Sequence, residues 1–270
     1  MKSVDVDKIV FLYKSGLSHN SIAKIMGIGY WVVANRLHRA NIKMRPNTCG
    51  SGKRKYEINE KALDRLTPKV CWVLGWLMGD GWTDGKNLLA LRASVKDEDI
   101  LNKMKDFFGY GGPIYWQDQY LKKTNKYYRI GTLKLSSAKL VGRLLDFEII
   151  PRKSQHEVYP LKLLDVDNEL FHSCFIRGML ESDGTVSSKD KQALFQIVGT
   201  KEVLTTIQDL LIRFVGVRKT KIHCHKRSEN HWMLRYRGNK QVPRILLWIY
   251  KEHENNVLTR KYKIAKEIMK

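Results

Sequence analysis

Two aspartates carry the chemistry this sequence offers. Asp80 closes the run Val73-Leu74-Gly75-Trp76-Leu77-Met78-Gly79-Asp80-Gly81, and Asp183 closes Ile176-Arg177-Gly178-Met179-Leu180-Glu181-Ser182-Asp183-Gly184. Each run is apolar with helical spacing and ends in Asp-Gly. Each carboxylate should therefore fall in the last turn of a helix, with the following glycine in the left-handed conformation that often ends one. Gly75 and Gly79 share one helix face, as do Gly178 and Ser182, because residues four apart are neighbours on a helix. A face without bulk lets two helix backbones approach closely. Packing along these faces brings Asp80 and Asp183 together at two helix C-termini, where carbonyl dipoles and the partner carboxylate both oppose negative charge. A hard divalent cation relieves that conflict, and Mg²⁺ is typically held by one or two carboxylates.

The elements that must position these acids occur twice. After the first copy, "NLLALRASV" alternates as a strand, Asp97 to Phe108 is helical, and "PIYWQDQYL" and "YYRIGTLKL" form a hairpin turning at Lys122 to Lys126. A helix from Ser137 to about Phe147 and the segment "IPRKS" follow. After the second copy come the strand "ALFQIVG", a helix from Lys201 to Val215, the strands "RKTKIHCHK" and "HWMLRYRG", a helix from Val242 to Lys251, and "LTRKYK" in place of "IPRKS". A shared order of this length is a tandem duplication.

Both Asp-Gly runs resemble the motif of LAGLIDADG homing endonucleases, in the single-chain form that carries two motifs. Glu181 keeps the family's first acidic residue in the second copy, and Met78 replaces it in the first. The resemblance implies an α+β fold of two αββαββα halves, related by a pseudo-twofold axis and forming a saddle of antiparallel sheets. It also implies metal bound by Asp80 and Asp183, with backbone carbonyls at Gly79 and Ser182. Mg²⁺ is the expected cofactor, with Mn²⁺ or Ca²⁺ able to substitute in binding. The implied reaction is hydrolysis of both strands of a long duplex, leaving a staggered break, in an element that spreads its own gene.

The first 45 residues read as three short helices. Ile9, Val10, Leu12 and Tyr13 form one apolar face; Ser18 is a good N-cap; Gly27-Ile28-Gly29 is a tight turn; and Tyr30 to Arg39 turns Val32, Val33 and Leu37 inward. Helix, glycine-containing turn, helix is the helix-turn-helix arrangement. The wording "LYKSGLSHNSIAKIMGIGYWVVANRLHRANI" resembles the DNA-binding domains of the resolvase and Hin recombinase type. Tyr30, Trp31, Asn35 and Arg36, early on the third helix, are the candidates to meet base edges, and Arg45 a phosphate. Residues 46–66 read as a basic linker broken by Pro46, Gly50 and Gly52, with a short helix from about residue 57. The expected domains are thus 1–45, linker 46–66, first half 67–166 and second half 167–270.

A net charge of +22 over 270 residues points to a polyanionic partner, double-stranded DNA before an acidic membrane. The apolar run from Val70 to Met78 is too short to span a bilayer. Cys49, Cys71, Cys174 and Cys224 form no C-x-x-C pair and suit a reducing cytosol. The DNA-facing candidates come from strand alternation. Lys219, Lys221, His223 and His225 point one way, with Ile222 and Cys224 opposite. Arg235 and Arg237 oppose Trp232, Leu234 and Tyr236. In the first half Tyr115, Gln117 and Gln119 share a face, and Arg92 shares one with Ser94. Each sheet would follow one half-site in the major groove, and because the halves differ the target should be asymmetric. The family resemblance also implies basic residues beside the metals; Lys153 and Lys261, at matching repeat positions, and Lys96 are the candidates for those transition-state or water-network roles. The chain is expected to act as a monomer. Two other functions fit the same residues: a non-catalytic transcription regulator of this fold, as in WhiA-like proteins, and an intron RNA maturase. The retained acids favour the nuclease, and the helix-turn-helix favours DNA over RNA.

Overall fold

A computed structural model describes residues 5–43, 55–122, 124–189, 192–224 and 230–270. The expected DNA contacts Arg45 and His225, and the basic stretch 44–54, lie outside these residues. The chain divides into two compact units, Met1–Arg54 and Lys55–Lys270.

In the first unit, α1 (Val6–Lys14), α2 (His19–Met26) and α3 (Tyr30–Arg39) enclose a small core of Ile9, Tyr13, Ile22, Ala23, Val33 and Leu37. Asp5 and Ser18 cap the first two helices by accepting from the amides of Lys8 and Ser21. Gly27, at φ 66°, ends α2 in the left-handed conformation that glycine adopts without penalty. Val32, expected inward, is exposed; the core-facing stripe of α3 is Val33 and Leu37 alone.

The second unit contains both Asp-Gly runs. The first half is α4 (Pro68–Gly79), β1 (Gly81–Thr83), β2 (Leu88–Ser94), a 3-10 turn at Val95–Asp97, α5 (Glu98–Phe107), β3 (Tyr115–Leu121), β4 (Lys126–Ser136) and α6 (Ala138–Leu145). A short α7 (Leu161–Val166) leads to the second half: α8 (Glu169–Asp183), β5 (Gly184–Lys189), β6 (Gln192–Gly199), α9 (Lys201–Val215), β7 (His223–Cys224), β8 (Trp232–Arg237), α10 (Gln241–Tyr250) and a closing α11 (Thr259–Ile268). Each half thus runs αββαββα, and each forms an antiparallel sheet, ordered β1-β2-β4-β3 and β5-β6-β8-β7. Every residue of α4 from Val70 to Met78 is buried, as is α8 from His172 to Glu181. α4 is apolar all round, as suits a helix inside a protein, while α8 buries Arg177 and Glu181 among its apolar residues; the two form the centre of one continuous core.

Three sequence expectations are corrected here. Residues 55–66 are neither linker nor helix: they pack as turns on the first half. There Leu63 enters the core, Asp64 accepts from Lys139 and Arg143, and Ser137 donates to Glu60. The strand expected around Lys219 is shorter than its alternation suggests. Gln208 donates to the carbonyl of Thr220, and Gln241 accepts from the amide of Arg218, so side chains take the bonds a ladder would use. Among the described residues of this stretch only His223 and Cys224 pair with β8, and both are exposed, Cys224 contrary to expectation. Finally, the glycine after each Asp is not left-handed. Gly184 has φ −99° and ψ 174° and begins β5 directly. Glycine is needed there for space, since a Cβ on Gly81 would lie 2.5 Å from the carbonyl oxygen of Leu77, and one on Gly184 2.5 Å from that of Leu180.

Candidate functional site

Helices α4 and α8 lie side by side, with equivalent residues meeting turn by turn. A Cβ on Gly75 would collide with the carbonyl of Phe175, one on Gly178 with that of Trp72, and one on Gly79 with the Ser182 hydroxyl. The first residues of this stripe are Cys71 and Cys174, buried near one another and themselves four residues before Gly75 and Gly178. Their shared offset from the two glycines is the sequence signal for this contact. The Ser182 hydroxyl donates back to the carbonyl of Gly178, which satisfies it within the seam.

This packing fixes the two acids. Asp80 caps the C-terminus of α4 and Asp183 is the last residue of α8. A Cβ on Gly79 would lie 2.9 Å from Asp183 Oδ2, so the Asp183 carboxylate reaches across to the end of α4. Asp80 is open to solvent, but it stands between two clefts. One is walled by Trp76, Arg92, Ser94, Asp97, Arg260 and Lys261, the other by Trp82, Ala90, Arg92, Thr132 and Lys134. The low-dielectric walls, and then the charge of Asp183, raise the Asp80 carboxyl to about 6 against the pull of Lys261 and Lys153. Burial also raises Asp183, opposed by Lys153, Lys261 and His231.

The two lysines are buried behind the carboxylates and hold helix ends. Lys153 Nζ donates to the Gly79 carbonyl at 2.6 Å. Lys261 Nζ donates to the carbonyls of Glu181 at 2.6 Å, Gly184 at 2.7 Å and Leu180 at 3.0 Å, and reaches Ser182 at 3.3 Å. The last carbonyls of a helix lack intrahelical donors, and an ammonium there also complements the dipole. Burial lowers both lysines, Lys261 to about 8. Lys96 is not with them: it is exposed on its turn, and Asp97 beside it faces the cleft.

Glu181 is a buried residue whose surroundings the sequence did not disclose. Its Oε2 accepts from the indole of Trp72 at 2.8 Å and of Trp76 at 3.1 Å, tying α8 to α4. Burial raises its carboxyl, against the Trp bonds and the charge of Arg177.

Strand register gathers the basic and polar candidates. Directly opposed residues share a face. Arg92, Thr132 and Tyr115 align across the first sheet, as do Ser94, Ile130 and Gln117, with Gln119 opposite Tyr128. The two faces read separately from the sequence are therefore one face. It continues through Trp82, Ala90 and Lys134, and Lys134 lies 6.0 Å over the Tyr115 ring. In the second sheet Thr185, Gln196 and Arg235 align, then Val198, Met233 and His223, with Arg237 opposite Leu194. Arg235 donates to Gln196 Oε1 at 3.0 Å. Lys219 and Lys221 are exposed in the irregular stretch before β7. Trp82, Lys134 and Gln196 were missed, although "TLKL" alternates and could have given Lys134. In the first unit Tyr30, Trp31 and Asn35 are exposed on α3, Trp31 at 74%, and Arg36 is half-buried.

The donors at the helix ends are all oxygen: two carboxylates and the carbonyls of Gly79 and Ser182, each carbonyl with one lone pair beyond the lysine bond. That set fits a hard divalent cation. Among the described residues no three His, Cys, Asp or Glu side chains gather to hold a metal. Water or substrate oxygens would have to complete the shell. No helix among them is long and apolar enough to cross a membrane.

No family model and no curated protein matches the sequence. Solved structures do. The homing endonuclease I-WcaI, bound to its DNA recognition sequence, is similar with a TM-score of 0.56 at 10% identity, over 84% of this chain and 96% of that one. The LAGLIDADG homing endonuclease I-GzeII, in complex with its DNA target, has a TM-score of 0.48 at 12% identity, over 76% of this chain and 89% of that one. Full-length DUF199/WhiA from Thermatoga maritima has a TM-score of 0.45 at 16% identity; the match takes in 78% of this chain and 64% of the WhiA chain. The likeness is one of fold, and it supports a LAGLIDADG fold for the second unit's paired αββαββα halves.

Proposed function

We propose that this chain is a site-specific endonuclease that hydrolyses both strands of a DNA duplex with divalent metal. The observation that carries the reading is the meeting of Asp80 and Asp183 at the C-termini of a helix pair, next to two sheet faces that present Arg92, Lys134, Arg235, Arg237 and His223. Mg²⁺ at this place would polarise a phosphate, lower the pKa of a bound water and stabilise the leaving oxygen. Asp80 and Asp183 supply its carboxylate oxygens, one from each half, and so serve one strand each. Gly79 and Ser182 supply carbonyls. Lys153 and Lys261 fix those carbonyls and offset the carboxylates' charge. The sheet faces grip the two half-sites, and because Arg92, Thr132 and Tyr115 in one half correspond to Val198, Met233 and His223 in the other, the preferred sequence is asymmetric. The three-helix unit serves as a helix-turn-helix that adds contacts through Tyr30, Trp31, Asn35 and Arg36. Linking two DNA-binding modules makes the second contact effectively intramolecular. The fold likeness to a DNA-bound homing endonuclease supports the reading.

The test is incubation with a duplex library and Mg²⁺, with Asp80→Asn and Asp183→Asn as controls. Metal-dependent double-strand cuts at one sequence, lost in both variants, are expected. Tight sequence-specific binding with no cut in Mg²⁺ or Mn²⁺ would leave a DNA-binding regulator in place of a nuclease.

A further inference from the structure

The segments that carry the two equivalent lysines are each anchored on the opposite half. Among the described residues, the segment after Lys153 accepts from the Thr200 hydroxyl at the carbonyl of Glu157, at 2.5 Å, and from the Asn230 side-chain amide at the carbonyl of Gln155, at 3.3 Å. The segment that carries Lys261 is held by charge. Arg260 donates to both oxygens of Asp97, at 2.8 and 3.0 Å, in the bidentate geometry that makes such pairs strong. Asp99 Oδ2 accepts from the Thr259 amide at 3.0 Å and its hydroxyl at 2.6 Å, and Lys103 bridges from Asp99 to the carbonyl of Val257. Helix α11 begins after Leu258, which has no side-chain cap of its own. Asp99, from the first half, supplies the acceptor that an N-cap side chain would normally provide, and its charge suits a helix N-terminus. Lys261 is the third residue of that helix, and its ammonium gathers the carbonyls that end α8 beside Asp183.

We infer that Asp97 and Asp99 are positioning residues: an ionic clamp from the first half that sets Lys261, and through it the Asp183 end of α8, in the second. The inference rests on the nuclease reading and assigns the two halves different vulnerabilities. Loosening the clamp slows the strand served by Asp183 more than the strand served by Asp80, whose helix end is held by Lys153.

The test uses the full chain and the duplex it selects, with each strand carrying its own fluorophore. In the Asp97→Asn/Asp99→Asn double variant one strand should be cut at least tenfold more slowly and the other slowed clearly less, so that nicked duplex accumulates. Reversing the pair, Asp97→Arg with Arg260→Asp in otherwise wild-type protein, should restore most of the lost rate that Asp97→Asn alone shows. A second readout needs neither DNA nor metal: acetic anhydride should acylate Lys261 at least fivefold faster in the double variant, measured by mass spectrometry. Equal slowing of both strands, or wild-type cutting by the double variant, overturns the inference while leaving the nuclease reading intact, as does unchanged Lys261 reactivity. A wild-type protein that binds duplex and cuts neither strand overturns the nuclease reading itself and the strand asymmetry with it.

Discussion

Asp80 and Asp183 are held where carboxylates are least comfortable, and metal-free protein should show it. Folding lifts Asp80 from the ordinary 3.8 to about 6, so its ionised form is disfavoured in the native state. The sign follows from proton linkage: between these values the folded chain binds a proton the unfolded chain has released, and stability falls as pH rises through about 6. Asp80→Asn should therefore raise Tm by a few degrees at pH 7.5 and leave it unchanged near pH 4, as read by thermal scans in chelator. The same variant should lose at least about a hundredfold in cutting rate while binding its duplex as well as wild type does. Lys261→Met should act in the other direction. It strips the donor from the buried carbonyls of Leu180, Glu181 and Gly184, and each unsatisfied acceptor costs about 1–3 kcal/mol, so Tm should drop at any pH where the lysine is charged. The acids were legible because Asp-Gly closes each apolar run. The lysines' place was legible from the repeat, but their partners were not, since nothing local says which carbonyls a long side chain will reach.

At the scale of elements, the pairing of α4 with α8 determines whether the acids meet. The seam has no room for a methyl group at Gly75 or Gly178, where the colliding atoms are backbone and cannot swing aside. Gly75→Ala should cost about 3 kcal/mol, the upper end for overpacking, and should weaken metal-dependent cutting beyond what stability explains; chemical denaturation and cutting rate on the folded fraction would separate the two. Gly142→Ala, in α6 with open space around its Cβ position, is the matched control and should be neutral or slightly stabilising. Helix positions and ends were readable from periodicity and caps: α3 and α9 match their expected spans, and Ser137 and Thr67 cap α6 and α4. The strands were less so. β1 and the full length of β5 were absent from the sequence reading because short polar strands carry little alternation. The basic alternation from Lys219 to His223 overstated β7, because side-chain amides took its backbone bonds.

For the whole molecule the dominant quantity is charge. With a net charge of +22, duplex affinity should depend on released counterions, falling about a thousandfold or more between 50 and 200 mM salt if six or more phosphates are contacted. Fluorescence anisotropy over a salt series measures the slope. Replacing Arg36 with Ala should flatten it by about one phosphate's worth, and replacing Trp31 should weaken binding with the slope preserved. A slope unaltered by Arg36→Ala would remove α3 from the phosphate contacts.

What the sequence determined by itself is whatever repeats or alternates locally: the two Asp-Gly runs, the small-residue seam, the duplicated order of elements and the basic excess. Each is written in spacing along the chain, and spacing sets helix faces and strand faces without reference to distant residues. Only the tertiary structure decided that Arg92 and Gln117 share one sheet face, that Glu181 is buried against two indoles, and that Asp97 and Asp99 clamp the helix carrying Lys261. Those facts depend on register and on contacts between segments far apart in sequence, which are fixed when the core closes around α4 and α8.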